Sequence, residues 1–350
     1  MKKFGMLVMA AAAVLWWSIP GGAADDPTMR MAEGVKYYRA GKYKQAVDAY
    51  DRAIKAAPNA AEAYLGRGSA YAKLGQNDRA IKNYDDAIRL NPDLADAYYK
   101  RGDAHNELKQ YQLAVKDYDE ALRRDPKLTE VYYNRGLAHY NLGQYDSAVK
   151  NFDEALKQNP KLANAILSRA NAYFAEKQYD HAVKDYDEVI KVNPKSAKAY
   201  YQRGESYARL GQLEKAILDY NQAQKLNPKD SEVYSSRGLA ERRLGKHEAA
   251  LKDYSEAIKL NAKDAEAYNN RGNVYSLMGK YDLAIKDYDQ AITLDPKSAR
   301  IYANRGVIKL RQEKSEEAEK DLKKAIELDP ALKEKLEPLI PEPKTAAGKR

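Results

Sequence analysis

From Pro27 onward, apolar and small residues recur in a fixed rhythm against a polar background. Between Ala61 and Pro92, Tyr64, Gly68 and Tyr71 form one set, and Ala80, Tyr84 and Ala87 form a second with the same spacing. A spacing of i, i+4, i+7 places three side chains on one face of an α-helix, so each set predicts an amphipathic helix. Between the sets stands Gly75. A glycine after a helix readily takes the left-handed conformation that stops it. Asn91-Pro92 ends the second helix, because the residue before a proline is pushed out of helical backbone. The pattern predicts a helical hairpin.

The hairpin is written repeatedly. Pro58, Pro92, Pro126, Pro160, Pro194, Pro228, Pro296 and Pro330 fall 34 residues apart, with Ala262 at the one missing mark between Pro228 and Pro296. Nine such units run from Pro27 to Leu332. With the proline numbered 32, positions 4, 8 and 11 are mostly Tyr, Gly and Tyr, and positions 20, 24 and 27 are Ala, Tyr and Ala. Position 15 is glycine in six units (Gly41, Gly75, Gly143, Gly211, Gly245 and Gly279), but Lys109, Lys177 and Glu313 replace it in the others. Without glycine a left-handed turn costs about 1–2 kcal/mol, so reshaped turns are expected there. Glycine at position 8 lies inside a helix, where it costs about 1 kcal/mol relative to alanine. Its recurrence predicts close approach of the second helix, opposite the small Ala at position 20. One hairpin cannot bury its apolar face alone, so neighbours must stack. The expected fold is all-α, a right-handed superhelical solenoid.

These positions resemble the tetratricopeptide repeat family, and the resemblance covers about 306 of the 350 residues. Two departures matter. Position 4 is mostly Tyr where the family often has Trp, and position 7 is arginine from the second unit onward: Arg67, Arg101, Arg135, Arg169, Arg203, Arg237, Arg271 and Arg305. Such a ladder of arginines invites a phosphate-binding reading. Acidic residues recur in the second helices, however, at Asp117, Asp119, Asp185, Asp187, Asp253 and Asp287. Arginines that lay their stems against the core and pair with those carboxylates are the expectation.

The resemblance implies a concave groove lined by first helices, with ligand contacts at positions 2, 5, 6, 9, 12 and 13. Carried onto this chain, those positions give Tyr99, Asp103 and Asn106 in the third unit and Tyr133, Leu137, Tyr140 and Asn141 in the fourth. The fifth gives Leu167, Asn171 and Phe174, and the sixth Tyr201, Glu205 and Arg209. Arg242 and Arg243 follow in the seventh unit, and Asn269, Asn270 and Asn273 in the eighth. Unlike the framework, these residues change from unit to unit. Aromatic anchors, amides and arginines suit an extended peptide; the competing reading is that positions 5 and 12 fill contacts between units. The two-carboxylate clamp of chaperone-binding members needs Lys at position 5, which no unit has.

Residues 1–24 stand apart from the array. Lys2 and Lys3 precede an apolar run from Phe4 to Trp17, and Pro20 and small residues lead to Ala23 and Ala24. That order is expected of a secretory signal peptide, cleaved after Ala23 or Ala24. The run is shorter than the roughly 20 residues a membrane-spanning helix needs. No cysteine occurs in the chain, which excludes disulfides, thiolate metal sites and a lipid-bearing cysteine after the run. The expected compartment is the periplasm or the exterior of a bacterium, with the membrane met only through the transient signal. The expected domains are therefore the signal (1–24), the repeat array (25–332), and a short C-terminal capping helix with a tail (333–350), in which Leu332, Leu336 and Ile340 share a helical face.

The formal charge of +9 comes from interspersed acids and bases without a long run of one sign. Solvated helix surfaces explain that better than a nucleic-acid footprint, although the balance points toward acidic partners. The four histidines do not cluster: His105 and His139 take the place of Tyr at position 11, and His181 and His247 are isolated. No metal site, cofactor-binding motif or catalytic constellation is expected. The chain reads as a non-enzymatic interaction scaffold of the cell envelope that binds protein or peptide segments. A glycan- or peptidoglycan-binding module is the alternative, and self-association stays open.

Overall fold

The structure, a computed structural model, describes residues 26–340. The expected signal peptide and the final ten residues of the tail lie outside the described residues. Among the described residues there is no strand, and the helices fall into two compact units divided between Gln144 and Tyr145. Each is an all-α stack of antiparallel helix pairs.

The first unit contains α1 (Pro27–Arg39), α2 (Tyr43–Ala56), α3 (Ala61–Lys73), α4 (Asn77–Leu90), α5 (Ala95–Glu107), α6 (Tyr111–Arg124) and α7 (Thr129–Asn141). Helices α1, α3 and α5 each pair with the even helix that follows, and that one packs on the next odd helix. The odd helices also touch one another, α1 with α3, α3 with α5 and α5 with α7, so they form one continuous layer. The second unit contains α8 (Tyr145–Gln158), α9 (Ala163–Ala175), α10 (Tyr179–Val192), α11 (Ala197–Arg209), α12 (Leu213–Leu226) and α13 (Ser231–Arg243). It continues with α14 (His247–Leu260), α15 (Ala265–Leu277), α16 (Tyr281–Leu294), α17 (Ala299–Arg311) and α18 (Ser315–Leu328). Here too α11, α13, α15 and α17 touch in sequence. The chain then breaks into short pieces around Pro330 and Pro338, with α19 (Lys333–Leu336) between two single 3-10 turns. Leu336 is buried against Leu322 and Ala325, with Leu332 and Ile340 beside it, so these pieces cover the end of the last hairpin.

The framework residues do what their spacing requires. Ala114, Tyr118 and Ala121 are fully buried on the inner face of α6, as are their counterparts in other hairpins. A methyl placed on Gly102 would stand 2.8 Å from the ring of Tyr118 and 3.3 Å from the carbonyl oxygen of Ala114. The close approach expected at position 8 is therefore real. The group that demands it is chiefly the tyrosine ring at position 24, with the Ala114 backbone second. At the helix ends, Asn91 and Asp125 turn their side chains to accept the backbone N–H two residues on, at 3.1 and 2.9 Å. These Asx turns and the following proline stop α4 and α6 together.

The turns without glycine correct the expectation that they are reshaped. Lys109, Lys177 and Glu313 adopt φ of 60°, 62° and 61°, beside 72–77° for the glycines. They keep the same closure: Gln110 N–H donates to the His105 carbonyl at 2.8 Å, as Gln76 N–H does to Tyr71 at 2.9 Å. Two backbone bonds that satisfy otherwise orphaned carbonyls outweigh a strain of about 1–2 kcal/mol. Nothing lies within 4 Å of a Cβ built on the turn glycines, so a side chain there meets no clash.

The arginines at position 7 brace the even helices. Arg101 donates to both oxygens of Asp117 at 2.9 and 2.6 Å, and to Asp85 at 2.6 Å. Asp117 belongs to its own hairpin and Asp85 to the preceding one, so one guanidinium staples two neighbours. Arg203 repeats this with Asp219 and Asp187, and Arg305 with Asp321 and Asp289. The guanidinium of Arg203 also lies 5.5 Å from the centre of the Tyr200 ring. These arginines are neutralised within the scaffold, and the phosphate-ladder reading falls.

Candidate functional site

In the first unit a cavity of about 540 Å³ opens on the layer of odd helices. Its walls come from α3, α5 and α7, with Tyr38 of α1 and Asn77 and Tyr84 of α4 at one end. Asp103 and Leu137 line it, as the position rule predicts. Lys73, Lys100, Asn106, Glu107 and Asn134 line it too, and they stand at positions 6, 12 and 13 of their repeats. Two cations, two acids and three amides make it polar and nearly balanced in charge. Oδ1 of Asn106 is buried without a hydrogen-bond partner.

Several predicted residues prove to be engaged within the scaffold. The hydroxyl of Tyr118 donates to Asp103 at 2.8 Å, Nδ2 of Asn134 donates to the same oxygen at 2.9 Å, and it also reaches the Tyr99 hydroxyl at 3.3 Å. Burial drives the Asp103 carboxyl above the usual carboxylate range, and these donors pull it back. The result is a polar joint between α5, α6 and α7. Position 9 plays the same part elsewhere: Asn171 accepts from Tyr186 at 2.7 Å, Glu205 from Tyr220 at 2.6 Å and Asn273 from Tyr288 at 2.8 Å. Sequence reasoning took position 9 as a ligand contact and missed this coupling. The signal was there, since the fourth repeat has Phe152 at position 24, with no hydroxyl, and Leu137 at position 9. In the seventh repeat, position 9 is Leu239, and the buried hydroxyl of Tyr254 has no hydrogen-bond partner.

The other predicted residues also lie on odd helices. Tyr133 and Tyr140 are half-buried on α7, and Asn141 is exposed at its end. Leu167 packs against Ala170 and Tyr186, and Phe174 meets the edge of the Tyr179 ring with centroids 5.4 Å apart. Tyr201 reaches across to Ser236 of the next odd helix at 3.3 Å, and burial pushes its phenol up to about 12. Tyr99 and Tyr201, both at position 5, thus join successive repeats. Asn270 donates to Glu266 at 3.3 Å, and Arg243 reaches the Ala208 carbonyl at 3.4 Å. Arg209 and Arg243 are exposed, whereas Arg242 is half-buried.

The histidines at position 11 are half-buried beside the arginine ladder rather than in the core. Nδ1 of His105 bonds Gln110 at 2.6 Å, and Nε2 lies 3.8 Å from Asp117. Nδ1 of His139 bonds Gln144 at 2.7 Å. Among the described residues no group of three or more His, Asp or Glu side chains is placed to hold a metal ion. None of their helices is long and apolar enough to cross a membrane.

Stacked helical hairpins with a polar cavity on one helix layer define a repeat scaffold of the binding class. The family model described as "Cilia and flagella-associated protein 70 C-terminal domain", a tetratricopeptide-repeat model, matches residues 94–336, and the model "TPR repeat" matches 34–75 and 68–109. The chain belongs to the tetratricopeptide-repeat family, in the branch that the first of these models describes. Membership makes it a non-catalytic module of protein or peptide interaction. None of the curated proteins matches it in sequence. Among solved structures it is similar to PilF of Pseudomonas aeruginosa, with 20% identity and a TM-score of 0.51, over 59% of this chain and 94% of that one. It is also similar to a tetratricopeptide repeat protein from Parabacteroides merdae, with 20% identity and a TM-score of 0.50, over 71% and 98%. A third, YrrB, described as having an unusual peptide-binding site, shares 25% identity at a TM-score of 0.49 over 52% and 94%. The first two share the fold.

Proposed function

We propose that the odd-helix layer binds extended peptide segments of a partner protein, and that the chain does this in the bacterial cell envelope after export by residues 1–24. The cavity of the first unit carries the binding half of this reading. Its lining mixes amides, lysines and carboxylates at repeat positions that vary, which suits a peptide's backbone and polar side chains. The even-helix surface, by contrast, carries local pairs such as Lys157 with Glu154 and Lys191 with Glu188, 2.6 Å apart, which occupy its charges among themselves.

Site-specific photo-crosslinking tests the surface. A photoreactive side chain at Lys73 or Lys100 should capture a protein from envelope extract, and one at Lys157 or Lys191 should not. Equal capture from both layers would overturn the assignment. Capture that soluble peptidoglycan fragments compete away would move it to a glycan ligand. Export is tested separately, by N-terminal sequencing of the mature chain. A chain beginning after Ala23 or Ala24 also lacks Trp16 and Trp17, and should show tyrosine fluorescence without a tryptophan signal.

A further inference from the structure

We propose that the odd-helix layer of the second unit, around α13, is a receptor for an acidic peptide segment and that Arg242 is its central grip; this rests on the peptide-binding reading above and adds the chemistry of the ligand. The ladder arginines of this unit are satisfied: Arg237 meets both oxygens of Asp253 at 2.6 and 2.7 Å, and Arg271 both oxygens of Asp287 at 2.8 Å. Arg209, Arg242, Arg243 and Arg311 take part in none of the ion pairs among the described residues. All four end odd helices, at positions 12 and 13.

Basic residues at a helix C-terminus are often there to satisfy the helix dipole. That explains the exposed Arg209, Arg243 and Arg311. It does not explain Arg242. An arginine serving only the dipole can stay in water, yet Arg242 is half-buried and its Nε is buried without an acceptor. Its charge opposes the burial that raises the phenols of both Tyr254 and Tyr288, so both hydroxyls lie within its electrostatic reach. The guanidinium is near enough to the Tyr254 hydroxyl to lower its pKa, but the pair lacks hydrogen-bond geometry, and both that hydroxyl and Nε of Arg242 are left without a partner. A guanidinium whose Nε is withdrawn from water, with no carboxylate in ion-pair range, carries a desolvation cost that a ligand's carboxylate removes.

The surroundings favour the same ligand. Nδ2 of Asn304 donates to Oδ1 of Asn269 at 2.9 Å, and Nδ2 of Asn269 is buried without an acceptor. Two carboxylates of this layer are engaged, Glu205 accepting from Tyr220 and Glu266 pairing with Arg300, and Glu241, beside Arg242 in sequence, forms no ion pair with it and keeps Oε2 buried without a hydrogen-bond partner. A nucleic acid fits less well. Glu205, Glu232 and Glu266 are spread along the same odd helices, where they would repel a continuous run of phosphates but not a peptide whose acids are spaced.

Fluorescence polarisation with the mature full-length chain tests this. The probe is a labelled twelve-residue peptide of Glu spaced by Gly and Ser, beside its Gln counterpart and a twelve-nucleotide single-stranded DNA. The Glu peptide should bind, with its Gln counterpart and the Arg242→Gln variant each weaker by about tenfold or more. Arg242→Gln should leave the melting temperature of the free chain unchanged or raise it, because it removes an uncompensated charge. Equal binding of the Glu and Gln peptides, or full binding by Arg242→Gln, would sink the proposal. So would tighter binding of the DNA, or a melting temperature that falls in Arg242→Gln, which is what a dipole-serving arginine predicts. The crosslinking at Lys73 and Lys100 reads the first unit and does not depend on ligand charge. Its success alongside failure here would leave peptide binding standing and remove only the acidic specificity.

Discussion

Replacing Arg203 by Met separates the bracing role of the ladder from any ligand role. Nε and Nη2 of Arg203 hold both oxygens of Asp219 at 2.7 and 2.6 Å, and Nη1 holds Asp187 at 2.5 Å. The Asp219 side chain is only 7% exposed, whereas that of Asp187 is 39% exposed. The substitution therefore strands one nearly buried carboxylate, which costs about 3 kcal/mol, the low end for a broken buried pair. The Asp187 contact adds less than about 1 kcal/mol because water screens it. Met keeps most of the stem packing, so little else changes. In the native chain, burial raises the Asp219 carboxyl above its ordinary range, and Arg203 opposes that rise. Without Arg203 it rises further, and the folded variant then holds a proton over a pH window in which the unfolded chain has lost it. Stability of the variant must fall as pH rises through that window. The gap to the parent chain is widest near neutrality and closes in acid, where protonated Asp219 needs no counter-charge. A repeat stack opens locally, so the measurement is amide hydrogen exchange along α11 and α12 at neutral pH and near pH 4, rather than one global melt. Exposed Arg209, which makes no ion pair, serves as the control and should move stability by less than about 0.5 kcal/mol. A loss below about 1 kcal/mol at neutral pH, or a loss of the same size in acid, would refute the staple.

Three further outcomes follow from the same geometry. Lys109→Gly, Lys177→Gly and Glu313→Gly should each stabilise their turns by about 0.5–1 kcal/mol in urea titrations, since φ near +60° is strained for any residue with a Cβ. Gly102→Ala should destabilise by about 1–3 kcal/mol, because the Tyr118 ring stands 2.8 Å from the new methyl and is itself fully buried; a neutral result would mean that α5 and α6 are less tightly apposed. Glu241 is raised to about 7 from an ordinary 4.5, first by burial and then by Asp253. The folded chain therefore binds its proton more tightly than the unfolded chain does, and stability falls as pH rises from about 4.5 to 7. Glu241→Gln should be the more stable form at pH 8 by about 1–2 kcal/mol after allowing for partial exposure, and no more stable at pH 4, as read from melting temperatures across that range.

The helices, their ends and the braces were legible because each is a local or periodic consequence of residue type. A glycine before a helix, a proline after one and an arginine sixteen residues from an aspartate all repeat often enough to be read as structure. The turns at Lys109, Lys177 and Glu313 were not legible. Whether a turn reshapes or accepts strain depends on how many backbone bonds it closes, and that is a property of the folded turn. The ligand surface was half legible, and the reason lies in position 9. A side chain there faces both the outside of its layer and the position-24 tyrosine of its own hairpin, so variation at position 9 records two demands at once. Asp103, Asn171, Glu205 and Asn273 are spoken for by tyrosine hydroxyls. Tyr99 and Tyr201 at position 5 reach into the next repeat. Positions 6, 12 and 13 carry such an obligation only in some repeats, as Asn134, Ser236 and Asn304 do at position 6. They supply Lys73, Lys100, Asn106, Glu107 and Asn134 to the cavity of the first unit, and Arg209, Arg242, Arg243 and Arg311 to the second. Selectivity should therefore be sought where a residue varies without a compensating partner inside its own hairpin. By that criterion Arg242 and Asn106 rank above the tyrosines that first draw the eye.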